Sequence, residues 1–270
     1  MKIDLRNKVA LVTGGTMGIG LASAMKFAQA GAQTILTHRW GSADEEEIIR
    51  QFKQLDALPP VILEADVTND EDTMQLLQYL EEQMQIDGVD IFVSNVAFAQ
   101  RIDSFEDYTR RGLAKSIDYT AWPMWDYTKK IEEKFGRYPK YIIGLSSDGP
   151  DSFFAYYDFV AMAKAVLETM CRYMNYRLAA EGVRVNIVRS RMVPTASFDA
   201  TFGEPFAKLV EELHFEDCYV SPDDVASVVF SLASGLLDAI GGQVIMADHG
   251  FSFHDSLMGT YARSEHFPSK

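Results

Sequence analysis

The sequence predicts one α/β domain built on a doubly wound parallel sheet of seven strands with helices on both faces. Short apolar, β-branched runs alternate with longer segments of helical periodicity along the 270 residues, and strands that alternate with helices form βαβ units. No Pro-, Gly- or Ser-rich linker divides the chain, and 47% hydrophobic residues can fill one large core. We therefore expect a single domain over residues 1–270.

The expected strands and helices follow one another in a regular order. The strands are expected at 9–13, 34–38, 61–65, 90–94, 141–146, 183–188 and 243–247. The helices are expected at 18–30, 43–57, 70–86, 108–135, 155–181 and 222–234. The last helix has the clearest start, because Ser221 can cap it and Pro222 fits its first turn.

Two segments carry no clear element. Residues 189–220 follow the sixth strand, and ligands of such sheets bind beyond the carboxyl ends of the strands. We therefore expect 189–220 to form a substrate lid, with a passive surface insertion as the alternative. Residues 251–270 are expected to form a C-terminal tail.

Composition excludes several function classes. A formal net charge of −14 would repel a phosphate backbone, so no nucleic-acid partner is expected. No apolar run approaches the roughly 20 residues that cross a bilayer, and the amino-terminal run is too short for a signal peptide. Cys171 and Cys218 alone give neither a disulfide framework nor a metal site. We expect a cytoplasmic protein with two reduced thiols and no membrane partner.

A glycine-rich turn joins the first strand to the first helix. Its glycines let the backbone turn tightly and approach a pyrophosphate, whose charge the amides at the helix start would meet. A position between a strand and a helix is the context that dinucleotide binding requires; the alternative is a tight turn without a ligand. The predicted cofactor contacts in this turn are Gly14, Thr16, Met17, Gly18, Ile19 and Gly20.

With this turn the chain resembles the short-chain dehydrogenase/reductase family, which spaces its glycines as TGxxxGIG. The resemblance extends over residues 7–250 and implies a Rossmann-type fold. Asn95-Val96-Ala97 replaces the family's usual NNAG after the fourth strand, and Asn186 matches its RVN motif. Further cofactor contacts implied by the resemblance fall on Asp66, Val67, Asn95, Lys164, Val193 and Thr195.

The end of the second strand indicates which dinucleotide is bound. A site that selects NAD places a carboxylate there, whereas the 2′-phosphate of NADP requires a cation. His38 and Arg39 occupy this point, and no Asp or Glu lies between Gly31 and Arg39. We therefore expect NADPH/NADP+ as the cofactor, with His38 and Arg39 at the phosphate. A solvated surface arginine is the alternative for Arg39.

Tyr157, Lys164 and Ser147 are the predicted catalytic residues. Hydride transfer to a carbonyl or a conjugated thioester builds negative charge on an oxygen, which must be stabilised and protonated. A tyrosine beside a lysine suits this task, because the ammonium should lower the pKa of the phenol. Ser147 could donate a hydrogen bond to the same oxygen. Packing at a helix entrance is the alternative role for Tyr157.

The spacing of the pair indicates the branch of the family. Most members read YxxxK, yet Val160 stands four residues before Lys164 and Tyr157 stands seven before it. This spacing resembles the enoyl-acyl-carrier-protein reductases. Seven residues are close to two helical turns, so both side chains should share a face. Phe98 after the fourth strand, and Asp118 in place of the carbonyl reductases' asparagine, favour the same branch.

Two arginines and an acidic segment depart from the family pattern. Ser190-Arg191 replaces the usual Pro-Gly pair, and Arg189 precedes it. The arginines have two open uses: binding an anionic substrate or the pyrophosphate, or pairing with surface acids. Lys208 is the one cation in residues 196–217, which weakens docking of an acidic carrier protein there. The alternative docking cations are Arg101, Arg110, Arg111 and Lys115.

Three functions compete. The first is NADPH-dependent reduction of the C=C bond of an enoyl thioester, linked to coenzyme A or acyl carrier protein, or of a free enone. The second is a carbonyl reductase or alcohol dehydrogenase that uses the same tyrosine with Ser147. The third is a non-catalytic dinucleotide-binding sensor, against which the intact Ser147, Tyr157 and Lys164 argue. The family resemblance also implies a homotetramer.

Overall fold

A parallel sheet of seven strands forms the centre of the computed structural model, which describes residues 3–39, 43–213 and 215–264. The sheet confirms the predicted fold class, and each expected strand is present with bounds shifted by at most two residues. The strands are β1 (Val9–Val12), β2 (Gln33–His38), β3 (Val61–Glu64), β4 (Ile91–Ser94), β5 (Tyr141–Ser147), β6 (Arg184–Ser190) and β7 (Val244–Ala247).

Helices connect successive strands and cover both faces of the sheet. They are α1 (Gly18–Gln29), α2 (Glu45–Gln54), α3 (Asp70–Glu82), α4 (Arg110–Thr120), α5 (Trp122–Phe135), α6 (Asp158–Leu178), α7 (Ala196–Glu212), α8 (Pro222–Ala233) and α9 (Ser256–Arg263). The predicted start of α8 is present as a capping box, in which Ser221 Oγ accepts from the backbone of Asp224 at 3.1 Å.

Strand order places the site. The strands lie in the order β3-β2-β1-β4-β5-β6-β7, with every pairing parallel. Val12 at the end of β1 is therefore level with Leu36 of β2 and Val93 of β4. Strands β2 and β3 are added on one side of β1, whereas β4 to β7 are added on the other side. Ligands of such sheets bind in the crevice beyond the carboxyl ends of the strands where the order changes side, here between β1 and β4.

Two apolar layers hold the sheet between its helices. Alternate residues of β1 enter opposite layers: Val12 lies in the layer with Phe27 of α1, and Leu11 in the layer with Tyr127 of α5. The rings of Phe92 and Tyr127 stack at 5.4 Å. These side chains are fully buried, and each such burial contributes about 1.5–3 kcal/mol. Both faces of the strands are thereby fixed, which gives the strand ends a rigid base.

Several expected elements differ from the structure, and the helices expected at 43–57 and 70–86 end early, at Gln54 and Glu82. The single helix expected at 108–135 is divided at Ala121 into α4 and α5, because Pro123 lies in the first turn of α5 and cannot continue a preceding helix. The helix expected from residue 155 begins at Asp158. The segment 189–220 is not irregular: β6 continues to Ser190, and α7 occupies most of the rest.

The remaining expectations concern the end of the chain and the absences. Within 251–270 the structure has a 3₁₀ turn, Phe251–Phe253, and α9, whereas 265–270 lie outside the described residues. Across the described ranges, no helix is long and apolar enough to cross a membrane, and no three His, Cys, Asp or Glu side chains are grouped to hold a metal ion. Cys171 and Cys218 are buried free thiols.

Candidate active site

The glycine turn after β1 is closely packed by backbone. Gly14 and Gly18 have φ of +60° and +54°, a region that residues with a Cβ rarely adopt. A Cβ on Gly20 would lie 2.4 Å from the carbonyl oxygen of Gly14. No side chain therefore fits between the turn and the first residues of α1. This shape leaves the helix-start amides open to an anion.

Asn95, at the end of β4, braces the turn from the neighbouring strand. Its Nδ2 donates to the carbonyl oxygens of Thr13 at 3.1 Å and Gly14 at 3.0 Å. Its backbone amide donates to Thr13 Oγ1 at 3.2 Å. The expected cofactor contact Asn95 is thus also a structural support of the turn.

The other expected contacts of the turn surround the start of α1. Thr16 is buried, whereas Met17, at the N-cap position of α1, is half exposed and has no oxygen to cap the helix. Ile19 is half-buried beside it. From the N-cap position of α7, the Cγ2 of Thr195 reaches within 3.3 Å of where a Cβ on Gly18 would lie. The structure therefore brings Thr195 onto the turn, as expected for a residue that faces the cofactor.

Arg39 already has acidic and phenolic partners. Its guanidinium lies 2.9 Å from Asp66 Oδ2 and donates to the hydroxyl of Tyr119. Tyr119 in turn donates to Asp66 Oδ2 at 3.1 Å, and Thr68 donates to Asp66 Oδ1. The expected phosphate ligand and the expected adenine contact therefore form one ion pair. Tyr119, which sequence analysis did not single out, is part of it.

His38 and two apolar residues complete the expected set. His38 is buried, and its Nδ1 has no hydrogen-bond partner among the described residues. Its other nitrogen lies 3.9 Å from Glu45. Val67 and Val193 are buried in the two layers that flank the sheet. The turn, Asn95, Thr195 and Arg39 together fit a dinucleotide, because they offer open amides at a helix start and a cation at the end of β2.

Ser147 and Tyr157 meet at the carboxyl end of β5. Their hydroxyl oxygens are 3.1 Å apart. Tyr157 is the N-cap residue of α6, and its carbonyl oxygen accepts the first helical hydrogen bond from the amide of Ala161 at 2.8 Å. That it shares a helical face with Lys164 stays a prediction. Lys164 is buried and its Nζ donates to the carbonyl oxygen of Leu145 at 2.6 Å, two residues before Ser147.

Burial dominates the ionisation of this group. Burial raises the pKa of Tyr157 above its ordinary value of 10.0, and the hydrogen bond between Tyr157 and Ser147 only partly opposes this rise. The expected lowering of this pKa by Lys164 is therefore wrong for this geometry. Burial also lowers the pKa of Lys164 from 10.5 to about 8, against the opposing effect of Glu168. At neutral pH the phenol keeps its proton and the lysine its charge.

Behind Lys164 lies a buried ion pair that sequence analysis missed. Glu168, one helical turn after Lys164, accepts from Arg189 Nε at 2.9 Å and from Ser146 Oγ at 2.6 Å. Arg191 lies 3.5 Å from the buried carboxylate of Asp148. Of the two uses considered for the arginines, pairing with acids is the one observed, but Glu168 and Asp148 are buried. A hydrophobic stretch around Glu168 was the available signal.

An aromatic surface from α7 faces Tyr157. Phe198, Phe202 and Phe206 lie on one side of α7, and the ring of Phe202 stacks on that of Tyr157 at 6.2 Å and 28°. Phe154 packs against both Tyr157 and Phe202. Elsewhere at the site, Phe98 packs against Tyr119 at 5.5 Å. The side from which a substrate would approach Tyr157 is therefore apolar.

Comparison with known proteins identifies the family. The family model described as enoyl-(acyl carrier protein) reductase matches residues 14–252. The chain belongs to this family of short-chain dehydrogenases and reductases. It is accordingly an oxidoreductase that depends on a nicotinamide dinucleotide.

Individual relatives include enzymes that reduce C=C bonds and enzymes that act on alcohols. The enoyl-[acyl-carrier-protein] reductase [NADH] of Aquifex aeolicus is 27% identical over 272 residues, covering 97% of this chain and 96% of that protein. The 3β-hydroxysteroid dehydrogenase 1 of Eggerthella lenta is 25% identical over 258 residues, covering 93% and 96%. Family membership therefore does not choose between the two reactions.

Solved structures show the same architecture. The crystal structure of the Aquifex aeolicus enoyl reductase (NADH) is similar with a TM-score of 0.74 at 26% identity, covering 93% of this chain and 98% of that one. A short-chain dehydrogenase from Burkholderia cenocepacia in complex with NADP gives a TM-score of 0.79 at 22% identity, covering 92% and 99%. The second likeness concerns the fold alone.

Proposed function

We propose that the protein reduces the C=C bond of an enoyl thioester, or of a related free enone, with NADPH. The observation that carries this proposal is the placement of Tyr157. It lies seven residues before Lys164 and its hydroxyl is 3.1 Å from Ser147 at the carboxyl end of β5. The longer spacing is the one that resembles enoyl reductases, and the resemblance now rests on a tyrosine whose hydroxyl reaches the strand end.

The proposed chemistry divides between three side chains. The bound nicotinamide supplies the hydride. Tyr157, whose raised pKa keeps it a phenol, donates a hydrogen bond and then a proton to the enolate. Before substrate binds, the contact between the Ser147 and Tyr157 hydroxyls at 3.1 Å orients the phenol; with substrate bound, the Ser147 hydroxyl would donate its proton to the same oxygen instead. Lys164, held at Leu145, supplies positive charge close to the strand end and would bind the cofactor ribose.

The surroundings favour an apolar, weakly charged substrate. Phe154, Phe198 and Phe202 provide an aromatic surface beside Tyr157. The outer side of α7 is acidic, and its Lys208 is paired with Glu204 at 2.8 Å. An acidic carrier protein would be repelled there. Of the alternative docking cations, Arg110 and Arg111 are exposed, whereas Arg101 is paired with Asp103. We therefore favour free enones over carrier-bound substrates, and a coenzyme A ester, which is also anionic, would have to place its phosphates away from the outer side of α7.

Carbonyl reduction is the second candidate. The pair of Ser147 and Tyr157 at 3.1 Å would serve an alkoxide as well as an enolate, and relatives of this chain include a 3β-hydroxysteroid dehydrogenase and a 3α-hydroxysteroid dehydrogenase. Asp118 argues against carbonyl reduction, because an exposed aspartate occupies the position where a carbonyl reductase would have its asparagine.

Parallel assays test the reaction. NADPH oxidation by the purified protein is measured with crotonyl-CoA and with acetoacetyl-CoA, and a free enone such as cyclohexenone is included. We expect turnover of the enones and little turnover of the ketone. Ketone reduction alone would transfer the assignment to the second candidate. Cofactor binding without any turnover would contradict both.

The cofactor preference is a separate proposal. Arg39 offers charge-assisted hydrogen bonds to a 2′-phosphate, although the Aquifex aeolicus relative is named for NADH. We expect tighter binding of NADPH than NADH by fluorescence titration, and Arg39→Ala should narrow the difference about tenfold or more. Lys53→Ala, which removes a cation from the exposed end of α2, is the control. Equal affinities in the unmodified protein would show that Arg39 does not select the cofactor.

Location and assembly follow the same reasoning. We propose a cytoplasmic protein, because both thiols are free and buried, a state that reducing compartments maintain. A homotetramer is proposed from the family, with exposed aromatic side chains on α5 and α6 as the contact surface.

A further inference from the structure

The Glu168–Arg189 ion pair is almost fully buried. Glu168 is 4% exposed and Arg189 is 8% exposed. The guanidinium binds the carboxylate through two parallel contacts, Nε to Oε1 at 2.9 Å and Nη2 to Oε2 at 2.5 Å. Buried ion pairs contribute little net stability compared with apolar residues of similar volume. Stability alone therefore does not explain why this pair occupies the space behind Lys164.

Arg189 joins two parts of the site. Its bidentate contact holds α6 one turn beyond Lys164. Its remaining nitrogen, Nη1, donates to the carboxylate of Asp151. Asp151 lies in the segment 148–157, which runs from the end of β5 to Tyr157. One guanidinium on β6 thus contacts both the helix that carries Lys164 and the loop that carries Tyr157.

The attachment matters because Tyr157 stands at the junction between the loop and α6, as the N-cap residue of the helix. In a YxxxK arrangement both residues would lie inside the helix. Here the carbonyl of Tyr157 accepts from the helix amide of Ala161 at 2.8 Å, whereas its own amide donates to the loop carbonyl of Phe154 at 3.3 Å, so the loop also sets its position.

Further contacts also hold the segment 148–157, including the Ser147–Tyr157 hydrogen bond at 3.1 Å and the packing of Phe154 against Phe202. Arg191 pairs with Asp148 at 3.5 Å, the amide of Ile102 donates to the carbonyl of Tyr156 at 3.3 Å, and Arg101 lies 3.6 Å above the Tyr156 ring.

We propose that Arg189 is a positioning residue for Tyr157, acting through Asp151. The pair with Glu168 fixes the guanidinium, and the guanidinium fixes the loop at Asp151, which sets where the phenol stands relative to Ser147 and Lys164. Arg189 does not bind an anionic substrate, since its donors are directed to Glu168 and Asp151. The inference rests on the proposed role of Tyr157 in reduction.

Asp151→Asn tests the contact between Arg189 and the loop by itself. The Asp151 side chain is 69% exposed, so the variant should keep the fold. The ion pair between Glu168 and Arg189 is also retained. We expect kcat to fall about tenfold for the substrate that the unmodified protein reduces, with NADPH affinity and substrate KM unchanged. Asp151→Glu, which keeps the carboxylate, should recover most of the loss. Asp87→Asn removes an exposed charge at the far end of the sheet and is the matched control.

Hydrogen–deuterium exchange of the peptide covering 148–157 gives a readout that needs no substrate. Exchange should be faster in Asp151→Asn than in Asp87→Asn. Unchanged exchange, or faster exchange with an unchanged kcat, would overturn the inference. If the unmodified protein reduces neither enone nor ketone, the proposed function fails, and the exchange result decides whether the attachment exists.

The double variant Arg189→Met with Glu168→Leu tests the buried contact between Arg189 and α6. It removes both charges of the pair together, so neither is left unpaired and the fold should be retained. Because Glu168 also raises the pKa of Lys164, the exchange over 148–157 has to accompany any change in kcat for the result to support the proposal. We expect kcat to fall at least as far as in Asp151→Asn, with faster exchange over 148–157. A double variant with the unmodified kcat would overturn the proposal.

Discussion

At the scale of single residues, the proposed role of the Tyr157 hydroxyl can be tested by removing it. Burial raises its pKa, so the phenol is a proton donor across neutral pH. Tyr157→Phe removes the donor and keeps the ring against Phe202. Because general-acid and oxyanion contributions are each worth about 10²- to 10³-fold, kcat should fall by that factor while NADPH affinity hardly changes. Steady-state kinetics and cofactor titration measure the two quantities.

Neighbouring positions supply the controls for this variant. Tyr156→Phe keeps the ring under Arg101 and should retain most of the activity. Adding Val160→Tyr to Tyr157→Phe should not restore turnover, since Val160 is buried inside α6 and is not at the strand end. Retention of most activity by Tyr157→Phe would transfer the role to Tyr156 or Ser147.

Lys164 should reduce stability while it supports activity. Its pKa falls from 10.5 to about 8 on burial, which corresponds to a cost on the order of 3 kcal/mol at 1.36 kcal/mol per pKa unit. Lys164→Met fills the same space without the charge. We expect its Tm at pH 7 to rise by several degrees, since 1 kcal/mol shifts Tm by roughly 2–4 °C in large domains, while turnover is lost and NADPH binds more weakly.

The pH dependence of this gain has a definite sign. Below about pH 8 the lysine is charged in both the folded and the unfolded chain, so the cost is fully present. Between pH 8 and 10.5 the unfolded chain holds the proton and the folded one does not, so the stability of the unmodified protein rises. The Tm difference should therefore shrink over that interval. Lys129→Met, an exposed lysine, should show neither effect.

At the scale of elements, α7 is the part most open to a specific test. Its helix is broken at Gly203, which has φ of 68°, and Pro205 follows. The break sets the direction of the turn that bears Phe202. Gly203→Ala should destabilise the fold by about 1–3 kcal/mol, because a φ of 68° combined with a ψ of −175° is a conformation that essentially only glycine adopts, and should raise the substrate KM while the NADPH affinity stays unchanged.

Gly136→Ala is the matched control for this change. Gly136 has φ of 70° at the end of α5, and nothing lies within 4 Å of an added Cβ. Because Gly136 has a ψ of 11° and so lies in the left-handed helical region, Gly136→Ala should lose about 1 kcal/mol by chemical denaturation, less than Gly203→Ala. Gly136→Ala should also keep the substrate KM of the unmodified protein. Equal KM values in both variants would show that α7 does not contact the substrate.

The sequence is informative about strands and less so about α7 and the tyrosine loop. Period, length and β-branching mark each strand, because parallel strands buried on both faces tolerate few other residues. Helix α7 is not predicted from the sequence, because Gly203 and Pro205 lie within it and both residues normally end a helix. The glycine turn was predictable because its conformation requires glycine, whereas the Glu168–Arg189 pair joins α6 to β6 through tertiary packing that no local pattern encodes.

At the scale of the whole molecule, exposed aromatic side chains suggest assembly. Trp122 and Trp125 on α5, and Tyr173 and Tyr176 on α6, are 36–82% exposed. Surfaces of this kind mark protein interfaces. We expect light scattering at micromolar concentration to give four times the monomer mass. Tyr173→Asp with Tyr176→Asp should yield smaller species, whereas Tyr79→Asp on α3 should not. A monomeric unmodified protein would contradict the assembly.

The Arg39–Asp66 pair makes cofactor choice a competition between two anions for one guanidinium. A 2′-phosphate has to displace a carboxylate that is already bound at 2.9 Å, so the preference equals the difference between two ionic partners and not the full strength of either. NADH leaves the existing pair intact. Thr68 and Tyr119 donate hydrogen bonds to Asp66, so substitutions at these two residues would change how strongly the Asp66 carboxylate holds Arg39. Substitutions that never touch the dinucleotide can thus shift which form the enzyme prefers.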